Sequence, residues 1–483
     1  MHNLSISELS TALRTRQLSP LEVTRHLLER IEGDCASLGA FVTVTADRAQ
    51  SQARAAEQEI MTGHWRGVLH GVPLAFKDIF FSDFAPTTAG SLIHQHFVPN
   101  HSATAIRRLE AAGAVTLGKL KTTEHAFAEH HPTVTAPINP WDERAWTGVS
   151  SSGSGVATAA GLAYGTLGSD TGGSIRFPAA ANGVTGLKPT WGRVSRYGVF
   201  ELASTLDHVG PLARSATDCA ILMNAIAGPD ANDPTALHDA VPDYEAATRA
   251  PVGGLRIGLP RAYACDGVDP VVVNVWERAA STMADLGATM VDVDFPEWRE
   301  VTSRWTTLCS TETAVAHANT FPSRSSEYGP LLASLIEKGR GESALELVRA
   351  VQLRHSFANQ LHKAFRNIDV MLIPVTVWPI PTVEEWTVLA RAPFTDLVRF
   401  TVPFNLAGNP ALTLPAGMDD RQIPLSIQFV GPLLGEEAIL RAGSAFQRCT
   451  NWHMRRPNGA VSAGHSVATS FDSGEAVGFR FTT

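Results

Sequence analysis

An α/β fold is predicted by three features of this sequence. Short apolar runs that end in polar residues alternate with segments patterned at helical spacing. The alternation recurs from the N-terminal third to the C-terminal third. With 483 residues, 44% hydrophobic and 18% charged, the chain can bury a large core, which excludes a disordered or disulfide-stapled protein. Length alone allows two or three domains or one large one. A net charge of −8 offers no overall basic footprint, so neither nucleic acid nor a membrane surface is an expected partner.

The elements follow in order. Ser19-Pro20-Leu21-Glu22 places a capping hydroxyl, a first-turn proline and a capping-box glutamate ahead of Val23, Leu27, Leu28 and Ile31, one face of a helix. Val72 to Phe76 reads as a buried strand ending at Lys77-Asp78. Ser102 opens a helical pattern through Ala105, Ile106 and Leu109, closed by Gly113, and "AVTLG" follows as a second strand. Gly153 to Gly165 is so rich in Gly and Ala that, as a helix, it must lie very close to its neighbours. Ser343 to Phe365 is patterned as a long amphipathic helix through Ala344, Leu347, Val348, Val351, Phe357, Leu361 and Phe365, before the strand "DVMLIPV". The end of the chain, 459–483, lacks periodicity and is expected to be mobile.

The five cysteines, Cys35, Cys219, Cys265, Cys309 and Cys449, are odd in number and form no CxxC pair, which fits a reducing compartment. "MHNLSISELSTALRTRQ" has no basic and apolar leader, so a cytoplasmic location is expected.

Three positions carry chemistry. In "GSDTGGSIRFPAA", 168–180, Gly172 and Gly173 let the backbone turn sharply just before Ser174, which can hold that serine out as a nucleophile. "TGVSSSGSG", 147–155, lies between an aromatic stretch and the Gly/Ala-rich helix, where a flexible spacer has no purpose. Lys77 is embedded in "LAFKDIFF", and burial disfavours an ammonium, so a neutral Lys77 is a candidate general base. A competing class is a metal-dependent hydrolase, drawn from "HQH" at 94–96 and "TTEHAFAEHHPT". The spacing His125-x-x-x-Glu129-His130 matches neither HExxH nor HxxEH, which weakens it.

"FKD" at 76–78, "GVSSSGSG" at 148–155 and "GSDTGGSIRFPAAANGVTGLKPTWGRVSRYG" at 168–198 resemble the amidase signature family, with Ser150 and Ser174 spaced as in that family. The resemblance extends from "SPLEVTRHLLERI" to "PLSIQFVGPLLGEEAILRAGSAFQR". It implies a single α/β/α domain over 1–458 with a large mixed sheet covered by helices on both faces. Within it lie N-terminal helices (about 1–65), a catalytic core (about 66–220) and a C-terminal half with substrate-pocket elements (about 221–458).

The resemblance further implies Ser174 as acyl-forming nucleophile, Ser150 as a bridging serine after a cis peptide, and Lys77 as base. It implies backbone oxyanion donors at Thr171, Gly172, Gly173 and Ser174, with Ser151, Asp170 and Arg176 shaping the turn. His125, Glu129, His130 and His131 fall where the family builds its pocket and are expected to contact substrate. Trp305, Trp378 and Trp386 are candidates to line an apolar pocket built from 124–135, 300–360 and 375–405. The implied reaction is hydrolysis of a small-molecule linear amide to a carboxylic acid and ammonia or an amine, extending to esters and carbamates. It needs no metal or other cofactor, and the implied assembly is a homodimer. The same motifs are similar to the amidase subunit of the tRNA-dependent glutamine and asparagine amidotransferase, the alternative reading. Val149 and Ser152 stand where the family usually has glycine; a β-branched Val149 conflicts with a left-handed backbone there.

Overall fold

The computed structural model describes residues 1–457 apart from 34, 391 and 392, so the expected mobile tail lies outside the described residues. Eleven strands form one sheet: β1 (Phe41–Val44), β2 (Pro73–Lys77), β3 (Val115–Leu120), β4 (Gly165–Asp170), β5 (Thr185–Lys188), β6 (His208–Ala213), β7 (Arg256–Leu259), β8 (Thr289–Asp292), β9 (Val370–Pro374), β10 (Ala411–Met418) and β11 (Pro424–Val430). Their order is β1-β3-β2-β4-β6-β5-β10-β11-β9-β7-β8. The sheet is mixed: β3, β2 and β4 run parallel, as do β9, β7 and β8, while β6, β5, β10 and β11 pair antiparallel. Central strands such as β2, β3, β4 and β6 are buried at every residue, as unbroken apolar runs require, whereas the outermost β1 and β8 are partly exposed.

Small residues let helices onto both faces. Alternation puts Gly165 and Gly168 of β4 on opposite faces. A side chain at Gly165 would meet Leu222 of the helix Ala216–Ile226, and one at Gly168 would meet the Ser151 hydroxyl leading into the helix Ser152–Ala159. Gly186 of β5 faces Ile175 and Ala179, beside the helix Arg176–Asn182. Leu412 and Leu414 of β10 receive Gly443 of the helix Glu436–Cys449 on the other side. A continuous apolar core runs from Ile6 to Phe446. Among the described residues no helix is long and apolar enough to cross a membrane.

The local readings hold with shifts. Ser19 caps the helix Pro20–Glu32 by accepting from the N–H groups of Leu21 and Glu22, and its own hydroxyl hydrogen goes to Glu57. The helix expected from Ser102 begins at Thr104, because Ser102 donates instead to Asp83. The Gly/Ala-rich helix stops at Ala159. Ser343 caps the helix Ala344–Ala364, where Phe357 and Leu361 are buried but Val348 is half exposed.

Candidate active site

The parallel pairing of β2 with β4 sets Phe76 opposite Leu167, so Lys77 and the Gly168–Ser169 step share one sheet end. Carboxyl ends of parallel strands are where α/β sheets open to ligands. Lys77 is fully buried there, and its Nζ donates to Ser150 Oγ at 2.7 Å and Ser169 Oγ at 2.8 Å. Burial pushes its ammonium down to about 7, against the nearby Asp207 and Asp170, which favour the charge.

Among the described residues three lysines are buried, and their partners separate them. Lys119 donates to the Ser82 and Thr87 hydroxyls but also pairs with Asp78 at 3.0 Å, and Lys188 donates to the carbonyls of Pro189 and Asn409. A carboxylate or carbonyl can only accept, so it fixes a donor. The hydroxyl partners of Lys77 can also donate, and therefore tolerate a neutral amine.

Ser150 follows a cis peptide from Val149. The left-handed residue is Gly148, with φ +75°, and not Val149. A side chain at Gly148 would stand 2.6 Å from the Pro178 nitrogen. The valine departure therefore falls where valine is accommodated, and its side chain lines the adjoining cavity. The Ser150 carbonyl accepts from Thr123 N–H and the Thr122 hydroxyl. Ser151 Oγ donates to the Ser169 carbonyl at 3.2 Å, tying this segment to β4, and Ser152 Oγ lies 3.2 Å from His130 Nε2.

The turn entering Ser174 is built around Asp170. Its carboxylate accepts from the N–H groups of Gly173, Ile175 and Arg176, from Asn405 Nδ2, and from Arg176 in a two-point pair at 2.9 and 3.0 Å. Burial alone would raise this carboxyl, but the Arg176 guanidinium holds it well below the usual carboxylate range. Both members are fully buried, so this is no surface ion pair. Gly173 has φ +137°, and a side chain there would overlap the Phe177 ring at 2.4 Å. The turn's carbonyls are held as well: Thr171 O accepts from Trp305 Nε1 at 2.9 Å, and Gly172 O from Thr401 Oγ1 at 2.6 Å.

One expected oxyanion donor is corrected. Gly173 N–H is given to Asp170 Oδ1 at 2.8 Å, which leaves Thr171, Gly172 and Ser174 with N–H groups unpaired among the described residues. The Ser174 hydroxyl has no hydrogen bond among the described residues; Ser151 N–H donates to the Ser174 carbonyl at 3.2 Å, keeping the two serine segments side by side.

Ser174, Thr171 and Gly172 open onto a cavity walled by Trp146, Trp305, Trp378, Trp386, Phe127 and Phe394. Trp386 stacks on Trp146 at 4.4 Å between ring centres, and Phe394 on Trp305 at 5.1 Å. The three tryptophans read from the sequence thus converge. The polar residues expected beside them do not: from 124–135 the cavity takes Ala126, Phe127 and Ala128. His125 and Ala126 adopt left-handed conformations, and the His125 ring is buried against His317, Phe200 and His94. His131 bonds Thr133, His130 turns to Ser152, and Glu129 is exposed. Among the described residues no group of three or more His, Cys, Asp or Glu side chains is placed to hold a metal ion. Sequence reasoning missed Asp207, Thr401 and Asn405, which meet the site from distant positions and carry no local signal, and Ser169, whose bond to Lys77 depends on the pairing of β2 with β4.

A family model described as Amidase matches residues 22–440. "Putative amidase AmiD" of Mycobacterium tuberculosis is 44% identical over 466 residues, covering 94% of this chain and 96% of that protein. One subunit of the glutamyl-tRNA(Gln) amidotransferase of Geotalea daltonii is 38% identical over 483 residues, covering 94% and 99%. Among solved structures, native peptide amidase from Stenotrophomonas maltophilia is similar with a TM-score of 0.80 at 29% identity, covering 95% of this chain and 99% of that one.

Proposed function

This chain belongs to the Amidase family and is an amidase of the amidase signature type, and from that premise we propose that it cleaves linear amides through Ser174, Ser150 and Lys77. The observation that carries this reading is the buried Lys77 amine, bonded among the described residues only to hydroxyls and lying on the Ser150 side of the segment held against Ser174. A neutral Lys77 accepts the Ser150 proton as Ser150 accepts the Ser174 proton, and Ser174 Oγ forms a bond to the amide carbon. The developing oxyanion meets the N–H groups of Thr171, Gly172 and Ser174. Loss of one such donor typically costs about 10²–10³ in rate.

Collapse of the tetrahedral intermediate breaks the C–N bond, and the proton carried by Lys77 returns through Ser150 to the leaving nitrogen. Water then adds to the Ser174 ester by the reverse proton path, releasing the carboxylic acid. An ester or carbamate substrate would pass through the same tetrahedral stage. The test is a rapid-quench experiment with an activated ester, followed by peptide mass mapping. An acyl adduct on the Ser174 peptide, absent from Ser174→Ala, is expected. An adduct elsewhere, or unchanged turnover by Ser174→Ala, overturns the assignment.

A further inference from the structure

Three residues lining the cavity carry side-chain hydroxyls: Thr171, Ser174 and Thr376. Two of these are already engaged. Thr171 donates to Asp207 Oδ1 at 2.5 Å, and Thr376 donates to the Trp378 carbonyl at 2.6 Å. Of the three, the Ser174 hydroxyl alone is unpaired among the described residues. Among the described residues, none that lines the cavity is Asp, Glu, Lys, Arg or His. The remaining surface is aliphatic or aromatic, with Trp146 stacked on Trp386 and Trp305 on Phe394 presenting flat faces. Such a surface gains from every apolar area it covers and from offset ring contacts. It returns nothing to a charged group that has lost its water.

Resting on the assignment of Ser174 as nucleophile, we infer that the substrate is an uncharged amide carrying an aromatic or comparably flat apolar group. Free amino acids with a side-chain amide are excluded by the same argument. Glutamine would bring an ammonium and a carboxylate into a cavity whose lining holds no counter-charge among the described residues, and each would be stripped of hydration without compensation from them. The hydrolysed bond still lies beside the free N–H groups of the turn. Selection therefore acts on what flanks the amide and not on the amide itself.

The experiment compares 4-methylbenzamide with 4-carboxybenzamide, which share ring and scissile group and differ in charge, with L-glutamine as a third arm. A preference of at least about 100-fold in kcat/KM for the neutral benzamide is expected, with no ammonia from glutamine. Rates for the two benzamides within about tenfold of each other, or glutamine as the best of the three, would overturn the inference. Binding to Ser174→Ala, followed by tryptophan fluorescence, gives a readout independent of turnover. The neutral benzamide is expected to bind at least about 100-fold more tightly than its carboxylate partner. Equal affinities, or no binding of the neutral compound, also overturn it. Trp386→Ala should narrow the preference for 4-methylbenzamide over acetamide by about tenfold; an unchanged preference counts against the aromatic wall. If Ser174→Ala still hydrolyses 4-methylbenzamide, the nucleophile assignment fails while the binding measurement judges the selectivity separately.

Discussion

Two surfaces meet at Ser174, and they are built by opposite means. On the floor, formed by Lys77, Ser150, Ser151 and the 169–176 turn, directional bonds fix the side chains around the N–H groups and hydroxyl that stay open at Thr171, Gly172 and Ser174, and Asp170 alone gathers three N–H groups, Asn405 and Arg176. On the wall, formed by Trp146, Trp305, Trp378, Trp386 and Phe394, rings stack on rings and no ionisable side chain faces the cavity among the described residues. The helix Val383–Leu389, which supplies Trp386, has no fully buried residue. Placing a proton needs directional bonds, and holding a flat apolar group needs only area. On the proposed mechanism, reaction chemistry and substrate choice therefore reside in parts of the molecule that can change separately.

The largest break is Lys77→Met. It keeps the volume of the stem while removing the proposed base, so kcat should fall by on the order of 10⁴. Stability should not fall with it. Folding lowers the Lys77 ammonium from its ordinary 10.5 to about 7, so between those values the unfolded chain binds a proton that the native protein does not. Native stability thus declines as pH drops from 10.5 towards 7, a cost on the order of 5 kcal/mol that methionine does not carry. Two buried hydroxyls lose a partner, at about 1–3 kcal/mol each. A melting temperature at pH 7 equal to or above that of the native enzyme is expected. A large drop would mean that Lys77 is a structural ion.

Next in size is Arg176→Leu, which should act on the floor through stability. It leaves the Asp170 carboxylate buried without its two-point partner, and unfolding in urea should report a loss of about 3–5 kcal/mol. The same measurement on Trp386→Ala, on the wall, should give a far smaller loss, since that ring is only half buried. Equal losses would erase the distinction between the two surfaces.

The floor was legible in the sequence because its core is short-range. Ser150 and Ser174 sit in Gly/Ser-rich motifs whose glycines answer backbone demands, at Gly148 and Gly173, that only the local chain can meet. Lys77 announced itself by apolar neighbours along one strand. The mixed sheet was not legible from periodicity, since β5 and β10 become neighbours only through pairing between residues more than 200 positions apart. Nor was the wall's polarity. His125, Glu129, His130 and His131 look like ligands in a row, yet left-handed turns at His125 and Ala126 put the small and aromatic residues between them on the cavity. Ser169 lay inside a recognised motif, but its bond to Lys77 depends on the β2–β4 register, which single-chain spacing does not encode.

The smallest and sharpest test concerns how the floor tunes its own base. If neutral Lys77 is required, kcat should rise with pH through about 7 and then level. Asp207 raises that midpoint by favouring the ammonium, and its own carboxyl, pushed up to about 6 by burial, is ionised where Lys77 titrates. Asp207→Asn removes the charge while preserving the contacts: the amide oxygen can accept from Leu202 and Ala203 N–H, and the amide nitrogen can donate to the Thr171 hydroxyl. The midpoint of the kcat profile should therefore move to lower pH, leaving the variant with a larger fraction of its plateau rate at pH 6. A midpoint that stays fixed, or moves upward, would show that the titrating group is not the amine held by Ser150 and Ser169.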